Sequence, residues 1–199
     1  MKKIFFAIAF LTAFSIHSFA QEAKKEDFKA FAGIKTIESG FTMKKYLSIA
    51  EEPMVSEGKF YFQRPDMLRW EYTSPFRYGI LINKNKAWSW QEEDGKREAK
   101  DISGKPAAIM MSQQLYTFIS MDMNAISKYY KIEKTQDGIT LFPKNNSKKQ
   151  MIDRINLTFS KTATAVSEVE ILEKNGDKTV ITFTNTKIDE VLPENAFVV

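Results

Sequence analysis

The chain has 199 residues, 29 of them basic and 25 acidic, with no cysteine and a single histidine, His17. The missing cysteines exclude disulfides, a thiol nucleophile and a thiolate metal site, and one histidine leaves little for Ser–His catalysis or transition-metal ligation. A net charge of +4 gives no support to a nucleic-acid partner.

At the start, Lys2 and Lys3 precede an apolar run over residues 4–16, broken only by Thr12 and Ser15, and Ser18-Phe19-Ala20 follows. That order of basic, apolar and small residues predicts an export signal over 1–20, cleaved before Gln21. The run is shorter than the roughly 20 residues a bilayer span requires. The expected compartment is the periplasm, and the expected domain organisation is a signal peptide at 1–20 and one domain at 21–199. Losing Lys2 and Lys3 leaves 27 basic residues against 25 acidic, a net charge of +2. His17 leaves with the signal, so the mature chain is expected to be no enzyme and to hold no metal or cofactor. Lacking a cysteine at the cleavage site, it is expected not to be lipid-anchored itself.

Residues 22–35 predict a short helix, with Phe28, Phe31, Ala32 and Lys35 at helical spacing. Beyond Ser39-Gly40 the rhythm becomes β-type: strands are expected over 41–47, 55–63, 67–72, 77–83, 86–91 and 96–101, with turns at 83–85 and at Asp94-Gly95. Residues 105–129 interrupt them. Pro106 suits a first helical turn, and Ala108, Met111, Leu115 and Phe118 or Ile119 form an apolar stripe; a second short helix is expected over 124–128. Strands resume over 130–136, 139–143, 152–160, 165–174 and 178–187, with turns at Asp137-Gly138 and Asn175-Gly176. Short links between about eleven strands mean antiparallel neighbours. A sheet that wide must curl or close. The fold class is mainly β: a single curled antiparallel sheet with a short N-terminal helix and a helical lid inserted mid-chain.

The segment Phe60-Tyr61-Phe62-Gln63-Arg64-Pro65-Asp66-Met67-Leu68-Arg69-Trp70-Glu71-Tyr72-Thr73-Ser74-Pro75, then Ile80-Leu81-Ile82 and Lys86-Ala87-Trp88-Ser89-Trp90, resembles the signature of the outer-membrane lipoprotein carrier (LolA) family. Leu141-Phe142-Pro143 and Asn185-Thr186-Lys187-Ile188-Asp189 with Phe197 are weaker matches. One departure is Lys84-Asn85 where the family usually carries an Asp-Gly turn. The resemblance implies an unclosed barrel, an apolar cavity that receives acyl chains, and transfer of lipoproteins from an inner-membrane release complex to an outer-membrane acceptor. A monomer is expected.

The expected cavity residues are Phe60, Phe62, Arg64, Leu68, Trp70, Tyr72, Trp88 and Trp90, with Met111, Leu115 and Phe118 as the lid's inner stripe. Trp70 with Tyr72, and Trp88 with Trp90, alternate along their strands, so each pair points to one face. Arg64 shares the parity of Phe60 and Phe62; an inward guanidinium stays charged and needs hydrogen-bond partners, which lid carbonyls could provide. Met110, Met111, Met121 and Met123 suit a lid that adapts to ligands of varied shape. The paired acids Glu51-Glu52 and Glu92-Glu93-Asp94 read as solvated turns. Two other readings stay open: a carrier or sensor of another amphiphile, such as a glycolipid or acylated pigment, and a non-lipid periplasmic interaction module.

Overall fold

The computed structural model describes residues 31, 33–105, 121–144, 151–161 and 165–198. The expected signal, the expected N-terminal helix up to residue 30, and the lid stripe of Met111, Leu115 and Phe118 lie outside them. Within the described residues, eleven strands form one antiparallel sheet. They are β1 (Thr36–Tyr46), β2 (Met54–Gln63), β3 (Met67–Ser74), β4 (Arg77–Asn83), β5 (Lys86–Glu93), β6 (Lys96–Asp101), β7 (Tyr130–Lys134), β8 (Gly138–Pro143), β9 (Ile152–Phe159), β10 (Val166–Glu173) and β11 (Lys178–Ile188). Their order is β6-β5-β4-β3-β2-β1-β11-β10-β9-β8-β7. The first strand pairs with the last at the middle of the sheet, while β6 and β7 are its two edges, unpaired with each other. The barrel is unclosed.

Tight turns set the register. Asp94 and Gly95 both take positive φ, +50° and +74°, the geometry that lets a two-residue loop follow the strands' twist. Lys84 occupies the left-handed region at φ +56°, so the Asp-Gly expected of the family is replaced without loss of the turn. Between β6 and β7, α1 (Met123–Tyr129) is capped by Asp122, whose carboxylate accepts from the N–H groups of Asn124 and Ala125 at 3.0 and 3.1 Å. It buries Met123 and Ile126 and carries Lys128 in its last turn. Every position of β6 except Ala99 is charged and all six are exposed, which keeps an open edge from templating a foreign strand.

The opening of β1 differs from the sequence expectation. The predicted helix ran to Lys35 and the first strand began after Ser39-Gly40, but residues 34–35 are not helical and β1 starts at Thr36. Ser39 and Gly40 read as a turn yet lie mid-strand, at a bulge against β11 between Glu38 and Gly40. The Ser39 hydroxyl reaches the Thr184 carbonyl at 3.0 Å and Thr186 Oγ1 at 2.8 Å, so a buried polar residue is satisfied inside the sheet.

Candidate functional site

Alternation divides the sheet into a concave apolar face and a convex polar one. On β1 the concave positions are Ile37, Ser39 and Phe41; opposite them stand Phe62, Phe60 and Gly58 of β2, and beyond these Leu68, Trp70 and Tyr72 of β3. The other half continues through Phe183 and Ile181 of β11, Val169 and Ile171 of β10, Leu157 and Ile155 of β9, and Ile139 and Leu141 of β8. One half is aromatic and the other, beyond Phe183 of β11, is aliphatic across β8 to β10.

In the aromatic half the Phe41 and Trp70 rings lie 4.3 Å apart, Phe60 and Trp70 5.6 Å, and Phe183 meets Phe60 and Trp70 at 6.1 Å each. Tyr72 meets the edge of Phe41 at 5.3 Å and stacks on Tyr78 at 4.3 Å. Gly58 is what makes the room: a Cβ there would stand 2.3 Å from Phe41 Cζ. Between the two walls lies a cavity of about 200 Å³, reached by Phe60 and Trp70 on one side and by Ile155, Leu157, Val169, Ile171, Ile181 and Phe183 on the other. Phe31 and Ile34, from the stretch that enters β1, line it too, and Phe31 packs on Phe159 at 5.1 Å. None of the described residues that line it is charged. The polar ones are Ser39, Tyr130 and Thr186, and burial pushes the Tyr130 phenol above its ordinary value, keeping it neutral. Burial, the largest cause, does the same for Tyr72, whose hydroxyl points at Met43 Sδ at 3.6 Å.

Arg64, just past the end of β2, is half-buried at one end of this interior. Its Nε donates to the Ile34 carbonyl at 2.6 Å and one terminal nitrogen to the Phe31 carbonyl at 3.1 Å, and its guanidinium lies 5.9 Å from the Phe62 ring. The expectation of carbonyl partners is met by residues that line the cavity, on the entry to β1. The lid stripe predicted to supply them is outside the described residues.

The structure brings Phe60 and Trp70 to the cavity, with Phe62 and Leu68 in the core beneath and Tyr72 packed against it, while Arg64 reaches it through the carbonyls of Ile34 and Phe31. It does not bring Trp88 and Trp90 there, which corrects the expectation that they line the cavity. Trp90 is opposite Gly79 and Gly79 opposite Glu71; Trp88 is opposite Leu81 and Leu81 opposite Arg69. Directly opposed residues share a face, so both indoles stand with Arg69 and Glu71 on the convex side. There Trp90 is 3% exposed between two guanidiniums, Arg97 at 4.2 Å and Arg69 at 5.4 Å. Arg69 pairs with Glu71 at 2.6 Å and donates to the Val198 carbonyl, which ties the C-terminal stretch to this patch. Gly79 is small because its Cβ would come within 2.9 Å of the Trp90 ring. Sequence reasoning missed Phe41, Phe183 and the whole aliphatic wall; its signal was the alternation of Ile155 with Leu157 and of Val169 with Ile171. Among the described residues no group of three or more acidic, histidine or cysteine side chains could hold a metal, and no helix is long and apolar enough to cross a membrane.

An unclosed antiparallel barrel wrapped around an uncharged chamber, with a guanidinium at its rim, defines a carrier-type fold. Residues 32–199 match the family model described as outer membrane lipoprotein carrier protein LolA, and the chain belongs to that family. The resemblance read from Phe60 to Pro75 and from Ile80 to Trp90 is thereby borne out. The outer-membrane lipoprotein carrier protein of Francisella tularensis subsp. tularensis (strain WY96-3418) is 26% identical over all of this chain and 97% of its own length. That of Methylococcus capsulatus (strain ATCC 33009 / NCIMB 11132 / Bath) is 24% identical, over 94% of this chain and 88% of its own. A solved complex of Pseudomonas aeruginosa MucA/MucB contains a similar fold, with a TM-score of 0.52 at 9% identity, covering 87% of this chain and 59% of that one.

Proposed function

We propose that this chain is a periplasmic chaperone that shelters the acyl chains of lipoproteins and carries them from an inner-membrane release complex to an outer-membrane acceptor, without catalysing a reaction. The observation that carries this reading is the uncharged cavity between the aromatic and aliphatic walls. The family membership supports the same cargo, and the basic-apolar-small order of residues 1–20 supports the compartment.

The energetics define what such a chamber must do. Three acyl chains hold about 45 methylenes, whose exposure to water costs about 36 kcal/mol at roughly 0.8 kcal/mol each. Binding free energies level off near −20 kcal/mol, so the carrier has to reproduce much of the membrane's apolar interior. A dry cavity of about 150 Å³ admits one benzene, and 200 Å³ is too small for three chains. Loading therefore requires the walls to part. A non-lipid interaction module calls for a filled interior, so the cavity favours the carrier reading.

The test is mass spectrometry of lipids that co-purify under native conditions, paired with incubation on inner-membrane vesicles holding radiolabelled lipoproteins. A soluble one-to-one complex with a lipoprotein is expected. A glycolipid or pigment in the native preparation, with no lipoprotein released, overturns lipoprotein as the cargo and leaves another amphiphile in its place.

A further inference from the structure

One peptide group, the amide joining Ile34 to Lys35, is gripped from both sides by opposite charges. Its carbonyl oxygen accepts from Arg64 Nε at 2.6 Å, and its N–H donates to Asp189 Oδ1 at 2.6 Å. The two side chains come from distant parts of the chain. Arg64 follows β2 and Asp189 follows β11, the strands that flank β1 on either side. Backbone bonds register both ends: Arg64 N–H donates to the Lys35 carbonyl at 2.9 Å, and Asp189 N–H to the Thr36 carbonyl at 3.0 Å. Asp189 Oδ1 also receives the Thr36 N–H at 3.3 Å.

A cation on an amide oxygen makes the N–H a better donor, and an anion on the N–H makes the oxygen a better acceptor, so the two bonds strengthen each other. Both are charge-assisted, the stronger class of hydrogen bond. Asp189 holds this place at φ +57°, in the left-handed region that Asp and Asn tolerate better than other side chains. The N–H groups of Lys35 and then Thr36 hold its carboxyl below the ordinary range, as a carboxylate engaged by backbone donors should be.

We propose that Asp189 is the second half of a gate whose first half is Arg64: it positions the Ile34–Lys35 peptide so that Arg64 can hold Phe31 and Ile34 against the cavity. This rests on the carrier reading. The amide is the pin, and Phe31 and Ile34 are the part that swings. Asp189 touches no cargo and acts through the peptide, so its removal should alter how fast the chamber opens more than how tightly the open chamber holds an acyl chain.

The experiment measures uptake and release of a dansylated fatty acid by stopped flow, with amide hydrogen exchange at Lys35 and Thr36, in the parent, Asp189→Asn, Asp189→Ala, Arg64→Leu and the double variant Arg64→Leu with Asp189→Ala. Losing one such bond corresponds to about a tenfold change in rate. Asp189→Ala should therefore speed uptake and Lys35 exchange by about tenfold, with Asp189→Asn, which keeps an acceptor oxygen, between it and the parent. The double variant should be no faster than the faster single one, because both side chains act on one amide. Uptake indifferent to Asp189, or effects that multiply in the double variant, would overturn the gate while leaving the carrier intact. A parent that takes up no fatty acid overturns the carrier reading and the gate with it.

Discussion

At the residue scale, two side chains of similar promise in the sequence have opposite fates. Arg64 bonds to carbonyls of residues that line the chamber, and charge-assisted bonds of this kind contribute about 1.5–3 kcal/mol each. Opening must break them, so Arg64 favours the closed, empty carrier. Replacing it by Leu removes the bonds and adds an apolar side chain beside the cavity, and both changes favour the loaded state. Arg64→Leu should therefore accept cargo at least as readily as the parent and deliver it poorly in a two-step assay with acceptor membranes. Arg64→Lys should not restore delivery fully, because a compact ammonium cannot reproduce the planar fork. Normal delivery by Arg64→Leu would reduce the residue to a strand terminator. Trp90, by contrast, is wedged between Arg69 and Arg97 on the convex face, and its Nε1 has no hydrogen-bond partner among the described residues. Trp90→Phe should leave fatty-acid affinity unchanged, whereas Trp70→Phe should weaken it severalfold. Equal effects from the two in titrations of the same probe would refute the assignment of faces.

At the element scale, carboxylates from one hairpin pin the backbone of another. Asp177, in the turn between β10 and β11, accepts from Ser48 N–H at 2.8 Å, which ties that turn to the one between β1 and β2. This backbone bond is the largest reason its carboxyl is held below the ordinary value. A folded-state pKa below the unfolded one contributes stability above about pH 4, and that contribution fades as pH falls through the folded value. Acid melts should therefore show Asp177→Asn less stable than the parent at neutral pH, with the gap narrowing as the pH falls through the folded value. A constant gap across that range would mean the ion contributes nothing beyond its hydrogen bond. These hairpins were largely legible in the sequence: β4 and β6 begin and end where the alternation and the Asp94-Gly95 turn predict. The start of β1 was not, because Ser39-Gly40 has the composition of a turn and only the bulge against β11 explains it. Trp88 and Trp90 were misplaced for a related reason. Alternation within a strand tells which residues share a face but not which face is concave. Counting back from the turn at Lys84-Asn85, which pairs Asn83 with Lys86, puts Trp88 opposite Leu81 and out of line with Trp70.

At the scale of the whole molecule, the chamber is the meeting of two halves that sequence reasoning saw unequally. The aromatic half carries the family signature, whereas Ile155, Leu157, Val169, Ile171 and Ile181 are ordinary strand residues whose importance comes from facing Phe60 and Trp70 across about 200 Å³. No local pattern marks that, because β10 and β11 reach the aromatic half only through the closing pair of β1 with β11. If the chamber is where acyl chains go, filling it should block them. Val169 lines the cavity on β10, and Val169→Phe adds a ring to space that the described residues leave open. Overpacking a filled core costs about 1–3 kcal/mol, but filling a void is commonly neutral or stabilising, so this variant should melt no lower than the parent. A fatty acid at a hundredfold over its dissociation constant stabilises by about 2.7 kcal/mol, which for a domain of this size raises the melting temperature by roughly 5–10 °C. The parent should show that shift and Val169→Phe should lose most of it. A shift that survives in a variant as stable as the parent would mean that acyl chains bind elsewhere on the sheet.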